Sequence, residues 1–279
     1  MNFKKFKYIE GYKYEKGWDK FAIDYSEMLK PNTVYSLTKE VMYNIIDKNK
    51  QLDASCDVLD VGCGTGNDFP FFLLKGVQVT AFDGSKGMLN KASDTYKNAI
   101  NSKKINLYHG RLENLDDSIF NDKKFDLIYS ITGGLAYIDD RELYRVFKVL
   151  KTMLKPNGKI ITAHFNRFCL SEGLYNLFKL KISIVNQRHN EKIKVTIKDE
   201  HMIMHLRKVK ALVKLFSIDF KEVKSYPLLA VTPPYQTGFN PSKTSLNFFK
   251  RMEMKALRMP YLTYISDQFV IVLSNDKKR

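Results

Sequence analysis

The sequence predicts an α/β protein. Its frame is a seven-stranded, mostly parallel sheet with helices on both faces, an antiparallel last strand, and an inserted β-hairpin and helix roofing one end. Three observations carry that expectation. Apolar runs of strand length alternate with amphipathic stretches of helix length up to residue 165, the pattern of repeated βαβ units. A glycine-rich turn, Gly62-Cys63-Gly64-Thr65-Gly66, joins the first apolar run, Val58-Leu59-Asp60-Val61, to a helical segment. A chain of 279 residues is long enough for one sizeable α/β core with an elaboration, and too short for two typical α/β domains.

Residues 1–50 precede the first strand and read as mostly helical. Trp18, Phe21 and Tyr25, spaced by three and four, form one apolar helix face, and Val34, Leu37, Val41, Ile45 and Ile46 form another over Thr33 to Lys48. Residues 51–166 read as the core. The first strand ends at Asp60 and Val61, and the glycines that follow let the backbone turn sharply and approach a ligand closely. Asn67 and Asp68 suit the N-cap of a helix from Phe69 to Lys75. The second strand, Val77 to Phe82, ends in Asp83, and Ser85 caps a helix reaching to about Ile100. Strands follow at Ile105 to His109 and Phe125 to Ile131. A helix from Asp140 to Leu154 stops at Lys155-Pro156-Asn157-Gly158, ahead of a strand from Lys159 to Phe165.

Residues 167–206 read as an insertion. Leu170 to Leu180 looks helical, and Ile193, Val195 and Ile197 alternate with Lys192, Lys194, Thr196 and Lys198 as in a half-exposed strand that pairs with His201 to Leu206. Standing between the fifth strand and a helix at Val209 to Phe216, this hairpin is placed to roof an active site. Residues 207–279 complete the sheet with a strand at Phe220 to Tyr226, a helix at Ser242 to Met259, and a last strand at Gln268 to Leu273 that can run antiparallel.

A glycine turn between strand and helix is a nucleotide-binding device, and what surrounds this one narrows the ligand. A G-x-G-x-x-G dinucleotide site needs its third glycine at position 67, which is Asn67, and sets a pyrophosphate on the helix N-terminus. Asp60 would repel phosphate there and favour a cationic amine. Asp83, at the end of the second strand, is placed to accept hydrogen bonds from both hydroxyls of a ribose.

On these residues the chain resembles the class I S-adenosylmethionine-dependent methyltransferases. Asp60 to Gly66 is similar to their D-x-G-x-G-x-G, and Asp83-Gly84-Ser85-Lys86-Gly87-Met88-Leu89 to their D-x-S-x-x-M-L. The likeness continues in order through Gly110 to Leu115, Phe125 to Ser130 and Leu154 to Lys159, covering about residues 20 to 166. It implies a Rossmann-like sheet, S-adenosylmethionine as cofactor, and a cofactor site drawn from Asp60, Gly62, Cys63, Gly64, Gly66, Asp83, Gly84 and Ser130. The segment from Gly17 to Tyr25 resembles the aromatic lid of small-molecule methyltransferases and would bring Tyr25 near the methionine end. Met88 would lie against the adenine ring. Where the family usually has an acidic adenine acceptor this chain has Arg111, leaving backbone groups near Leu112, or the carboxylate of Glu113, as substitutes.

Composition bounds the rest. The net charge of +16 raises nucleic acid as a partner, yet only nine of the 46 basic residues are arginines and the lysines are spread along the whole chain, as on a solvated surface. The three cysteines form no C-x-x-C pair and suggest neither disulfide nor zinc. No apolar run reaches the length of a membrane span and residues 1–7 lack the core of a signal peptide, so the cytoplasm is the expected location. No metal is expected: His201 and His205, four apart on a strand, stand about 13 Å from each other.

The expected activity is methyl transfer to an oxygen, nitrogen or carbon of a small, partly apolar molecule. The alternatives are an RNA or DNA methyltransferase and a non-catalytic protein that keeps the fold for binding. His164, at the mouth of the fifth strand, is the candidate base or substrate anchor, against the reading of a histidine bonded structurally at a strand end. Tyr12, Tyr137, Asn166, His201 and Tyr235 are the candidate substrate-lining residues. Thr232-Pro233-Pro234-Tyr235 resembles the N/D-P-P-Y/F motif of enzymes methylating exocyclic amines, but it begins with Thr and follows the wrong strand, so it reads as a rigid loop edging the pocket.

Overall fold

The computed structural model describes residues 15–29, 33–131, 133–181, 188 and 190–275. Its strands in chain order are β1 (Asp57–Val61), β2 (Gln78–Asp83), β3 (Ile105–His109), β4 (Phe125–Ser130), β5 (Leu154–Phe165), β6 (Lys192–Ile197), β7 (Glu200–His205), β8 (Glu222–Leu228) and β9 (Gln268–Ser274). Seven of them form one sheet in the order β3-β2-β1-β4-β5-β9-β8, with β9 antiparallel to both its neighbours. The strand order reverses between β1 and β4, and open α/β sheets bind ligands beyond the carboxyl ends at such a point.

The helices are α1 (Glu15–Leu29), α2 (Thr33–Asn49), α3 (Phe69–Leu74), α4 (Lys86–Thr95), α5 (Lys97–Asn101), α6 (Asp140–Thr152), α7 (Leu170–Phe178), α8 (Val209–Phe216) and α9 (Lys243–Ala256). They cover both faces of the sheet, which is why β9 is buried along its whole length and β1 along all but its first residue. On one face Val41, Ile45, Phe72, Tyr129 and Val272 share a core; on the other Leu59, Val146, Phe147, Phe216 and Ile271 share a second.

Two elements differ from expectation. The helix after Ser85 breaks at Tyr96, whose ring packs edge-on against Phe69 at 5.1 Å and leaves the helical path to do so. Strand β5 begins at Leu154 and runs through the expected stop. The pairing shifts from Phe125↔Leu154 to Leu127↔Lys159, and Asn157 (φ +59°) takes up the extra residues as a bulge.

β6 and β7 make a separate two-stranded sheet. Its inner side chains, Ile193, Val195, Ile197, Met202 and Met204, pack with Trp18 and Phe21 of α1 and with Tyr137 and Phe165. Strand alternation then sends His201 outward, where it is exposed and its Nδ1 bonds Thr196 Oγ1 at 3.0 Å. The expectation that His201 faces a pocket is corrected: the methionines took the inner positions.

The loop leading to Pro233 is fixed by Glu253 of α9. This carboxylate, 1% exposed, accepts the amides of Ala230 (2.9 Å), Val231 (3.0 Å) and Thr232 (2.8 Å) and the Thr232 hydroxyl (2.8 Å). Thr232 is thereby spent inside the fold. Glu253→Ala leaves three buried donors without a partner and is expected to cost about 3 to 5 kcal/mol in chemical denaturation, with Glu253→Gln recovering part of the loss.

Candidate functional site

The site is a cleft at the carboxyl ends of β1 and β2, under α1. Its floor is the glycine turn. The amides of Gly62 and Cys63 both donate to the Phe82 carbonyl, at 2.7 and 3.2 Å, which staples the turn to the end of β2. Gly62 has φ +77°, and a β-carbon on it would stand 3.0 Å from the Gly134 Cα, so the loop after β4 closes over the turn only because both residues lack side chains. At Gly64 (φ +55°) a β-carbon would meet nothing within 4 Å, and this residue faces the open cleft.

Three carboxylates surround the turn. Asp83 accepts the Gly64 amide on Oδ2 and the Ser85 amide on Oδ1, both at 2.8 Å; burial raises its carboxyl above the usual range while these bonds hold it down. Asp60 is 2% exposed, and its Oδ2 has no hydrogen-bond partner among the described residues. Burial, then the charges of Asp68 and Asp83, push the Asp60 carboxyl well above its ordinary value. Asp68 receives the Tyr43 hydroxyl at 2.5 Å and lies 3.1 Å from the Lys39 ammonium. One lysine against three acids leaves the cleft locally acidic in a chain of net charge +16.

The ceiling is α1, which docks on α4 through Asp19. Its Oδ1 accepts the Ser85 hydroxyl at 2.6 Å and the Gly87 amide at 2.8 Å, and the Ser85 oxygen in turn caps α4 by accepting the Met88 amide at 3.1 Å. Trp18 meets Tyr25 and Tyr137 edge-on, each at 5.7 Å between ring centroids. Burial keeps the Tyr137 phenol raised, hence protonated at neutral pH.

Of the expected residues, Tyr25, Gly62, Cys63, Gly64, Asp83, Gly84, Met88, Leu112 and Tyr137 line the cleft. Asp60 lies beneath the turn, Gly66 backs onto the Phe69 ring, and Ser130 sits under Gly134. Burial and the nearby carboxylates push the Cys63 thiol well up, which fits a filler and not a nucleophile. Arg111 and Glu113 are not in the wall, and Glu113 is exposed. The Leu112 carbonyl is spent on the Leu115 amide (3.1 Å) and on Arg145 Nη2 (2.6 Å), so that oxygen is not left over as an adenine acceptor.

The expectation for His164 is corrected. It is 2% exposed, its Nε2 bonds Thr162 Oγ1 at 2.9 Å, and its ring lies near Phe147 and Phe269, at 6.4 and 5.7 Å. Burial, then Arg207, hold its pKa well below the usual value. The side chain points into the core beneath α6, away from the cleft. Asn166 is likewise committed elsewhere, donating to the Thr263 carbonyl at 2.8 Å. Tyr235 stands behind the wall, edge-on to Tyr35 at 6.3 Å, with burial pushing its pKa up to about 12. Tyr12 lies outside the described residues.

Sequence reasoning missed Tyr35, Asn67, Asp68 and Phe82 as cleft-lining residues and Asp19 as the clamp. Asp68 carried a signal, an acidic residue just past the third glycine. Asp19 carried none, since its partners are 66 and 68 residues away.

A family model described as a methyltransferase domain matches residues 58–158. Comparison with curated protein sequences returns no match. Among solved structures, the fold is similar to that of the DhpI–SAH complex, with a TM-score of 0.59 at 13% identity over 94% of this chain and 95% of that one. It is similar to an S-adenosylmethionine-dependent methyltransferase from Clostridium acetobutylicum, with a TM-score of 0.57 at 17% identity over 93% and 99% of the two chains. The glycopeptide N-methyltransferase MtfA, complexed with S-adenosyl-L-homocysteine, gives a TM-score of 0.51 at 15% identity over 84% and 87%.

His164→Ala is expected to lower stability by about 2 to 4 kcal/mol, as a core cavity does, and to leave kcat/KM within about twofold of wild type from pH 6 to 9. Denaturant titration and a pH–rate profile check both halves.

Proposed function

We infer that this chain, which carries a class I S-adenosylmethionine-dependent methyltransferase domain at residues 58–158, methylates a nucleophilic oxygen, nitrogen or carbon of a small, partly apolar molecule. The observation that carries the reading is the pairing of an acidic, side-chain-free cradle with an aromatic wall in one cleft. The buried, unpartnered Asp60 Oδ2 and the open space over Gly64 fit a ligand that is cationic and approaches the backbone closely. When bound, S-adenosylmethionine supplies an electrophilic methyl group on a positively charged sulfur.

Asp83 would hold the ribose hydroxyls, Met88 and Leu112 would flank the adenine, and Gly64 and Asp68 would face the charged amino-acid end, with Asp60 acting on it from beneath the turn. Trp18, Tyr25 and Tyr137 would close over the reacting atoms and keep water out. Among the described residues lining the cleft there is no histidine. Catalysis in this reading rests on alignment, which can lower a barrier by about 7 to 11 kcal/mol, with Tyr137 as a neutral hydrogen-bond donor that orients the acceptor.

A second cavity under the β6–β7 hairpin supports the substrate half. It is lined by Phe165, Ile193, Met204 and Leu206 on its apolar side and by Glu172, Arg188 and Gln236 on its polar side. The Phe165 ring stands 3.2 Å from where a Gly133 β-carbon would be, and Gly133 lines the cofactor cleft, so the two spaces adjoin at that ring. We place the acceptor at this junction. Cys56, Cys63 and Cys169 are all free, in keeping with a reducing, cytoplasmic setting.

Calorimetry is expected to detect S-adenosylmethionine and no dinucleotide, with Asp60→Asn and Asp83→Asn each weakening the affinity about tenfold or more. The raised Asp60 carboxyl sets the sign with pH: a bound cation favours its charged form, so affinity rises as pH rises through its pKa, and Asp60→Asn flattens that slope. Labelled methyl from the donor should pass to apolar small molecules bearing a hydroxyl or amine; transfer only to RNA or DNA would refute the substrate assignment.

A further inference from the structure

Helix α7 is built inside out. Its buried positions are the polar Ser171 (7% exposed) and Asn176 (2%), whereas Leu174 (58%), Leu177 (56%), Phe178 (81%) and the following Leu180 (83%) face solvent. Single exposed leucines need no explanation, but a cluster of four within seven residues on one short element does. Glu172, the one acidic residue of the helix, turns inward to Arg188, which leaves the outer face without negative charge.

The surroundings are cationic and aromatic. Lys179 and Lys181 are exposed at the C-terminal end of the helix. Beside its N-terminal end, Arg167, Lys208 and Lys210 line a surface depression together with Phe168 and Tyr264, and the Lys210 ammonium stands 5.8 Å from the Tyr264 ring. The Leu170 amide bonds the Ile265 carbonyl at 2.9 Å, which joins the helix to the short turn carrying Tyr264, so the apolar and basic regions form one surface.

We propose that this face docks on an anionic lipid bilayer, with α7 lying in the interface plane. Aliphatic tips ringed by lysines and tyrosines match acyl chains below and acidic headgroups around, and the net charge of +16 adds long-range attraction. A second copy of the chain fits less well, because a two-fold contact would press the Lys179 and Lys181 rims of both copies together. Nucleic acid fits less well too, since the centre of the patch offers leucines where phosphate contacts would be needed. The inference stands apart from the catalytic reading, because none of these groups lines the cofactor cleft.

The test is co-sedimentation of the full chain with extruded vesicles of phosphatidylcholine alone, or with about one-third phosphatidylglycerol, at low and high salt. Binding is expected to the anionic vesicles and to weaken with salt. Leu177→Asp combined with Phe178→Asp, and separately Lys179→Glu combined with Lys181→Glu, should each reduce it about tenfold with the melting temperature unchanged, since all four side chains are exposed. Absence of binding to either vesicle, equal binding to both, or indifference to both double variants overturns the proposal. So does a lipid-free dimer, or an oligonucleotide complex, that the Leu177 and Phe178 changes abolish while vesicle binding survives.

Discussion

The carboxylate of Asp83 is the bond on which the rest of the cleft depends. One oxygen holds the glycine turn through the Gly64 amide and the other holds the start of α4 through the Ser85 amide, so a single side chain at the end of β2 fixes the floor and one wall in register. Asp19 continues the connection from Ser85 to α1. Strand, turn, wall and ceiling are thus linked through two acids, and the hydroxyl between them serves as both donor and acceptor.

Electrostatics separates this cleft from the rest of the molecule. The surface is strongly basic, yet the groups at the glycine turn are Asp60, Asp68 and Asp83; the charges of Asp68 and Asp83 add to the cost of ionising the buried Asp60, and Asp68 is held by Tyr43 and Lys39. Burial disfavours an unpaired carboxylate, and a ligand that brings its own positive charge relieves that penalty where a phosphate would increase it. The acidic groups thus lie in the floor of the cleft, and the aromatic rings of Trp18, Tyr25 and Tyr137 lie above it.

What was legible in the sequence was local. The glycine turn, the acid ending β2, the Ser85 cap and the order of strands are set by residues within a turn or two of one another, and the antiparallel last strand by its place in the chain. What was not legible was which way a side chain at a strand end points relative to a distant element. His164 lies at the end of β5 and Asn166 just past it, as the sequence indicates, but only the packing of α6 and β9 decides that the histidine enters a core lined by Phe147 and Phe269. His201 was misplaced for the same reason, its strand having methionines to bury first.

The two layers of the site differ in how their contacts are distributed along the chain. The floor is closed by pairings between neighbouring strands and turns. The ceiling relies on Asp19 reaching Gly87, 68 residues away, and on Lys20 reaching Glu200, 180 residues away, at an exposed ion pair. Exposed contacts are the least expensive to break in the folded state. The Lys20–Glu200 pair is therefore less costly to break than the buried strand pairings beneath the glycine turn, which do not depend on it.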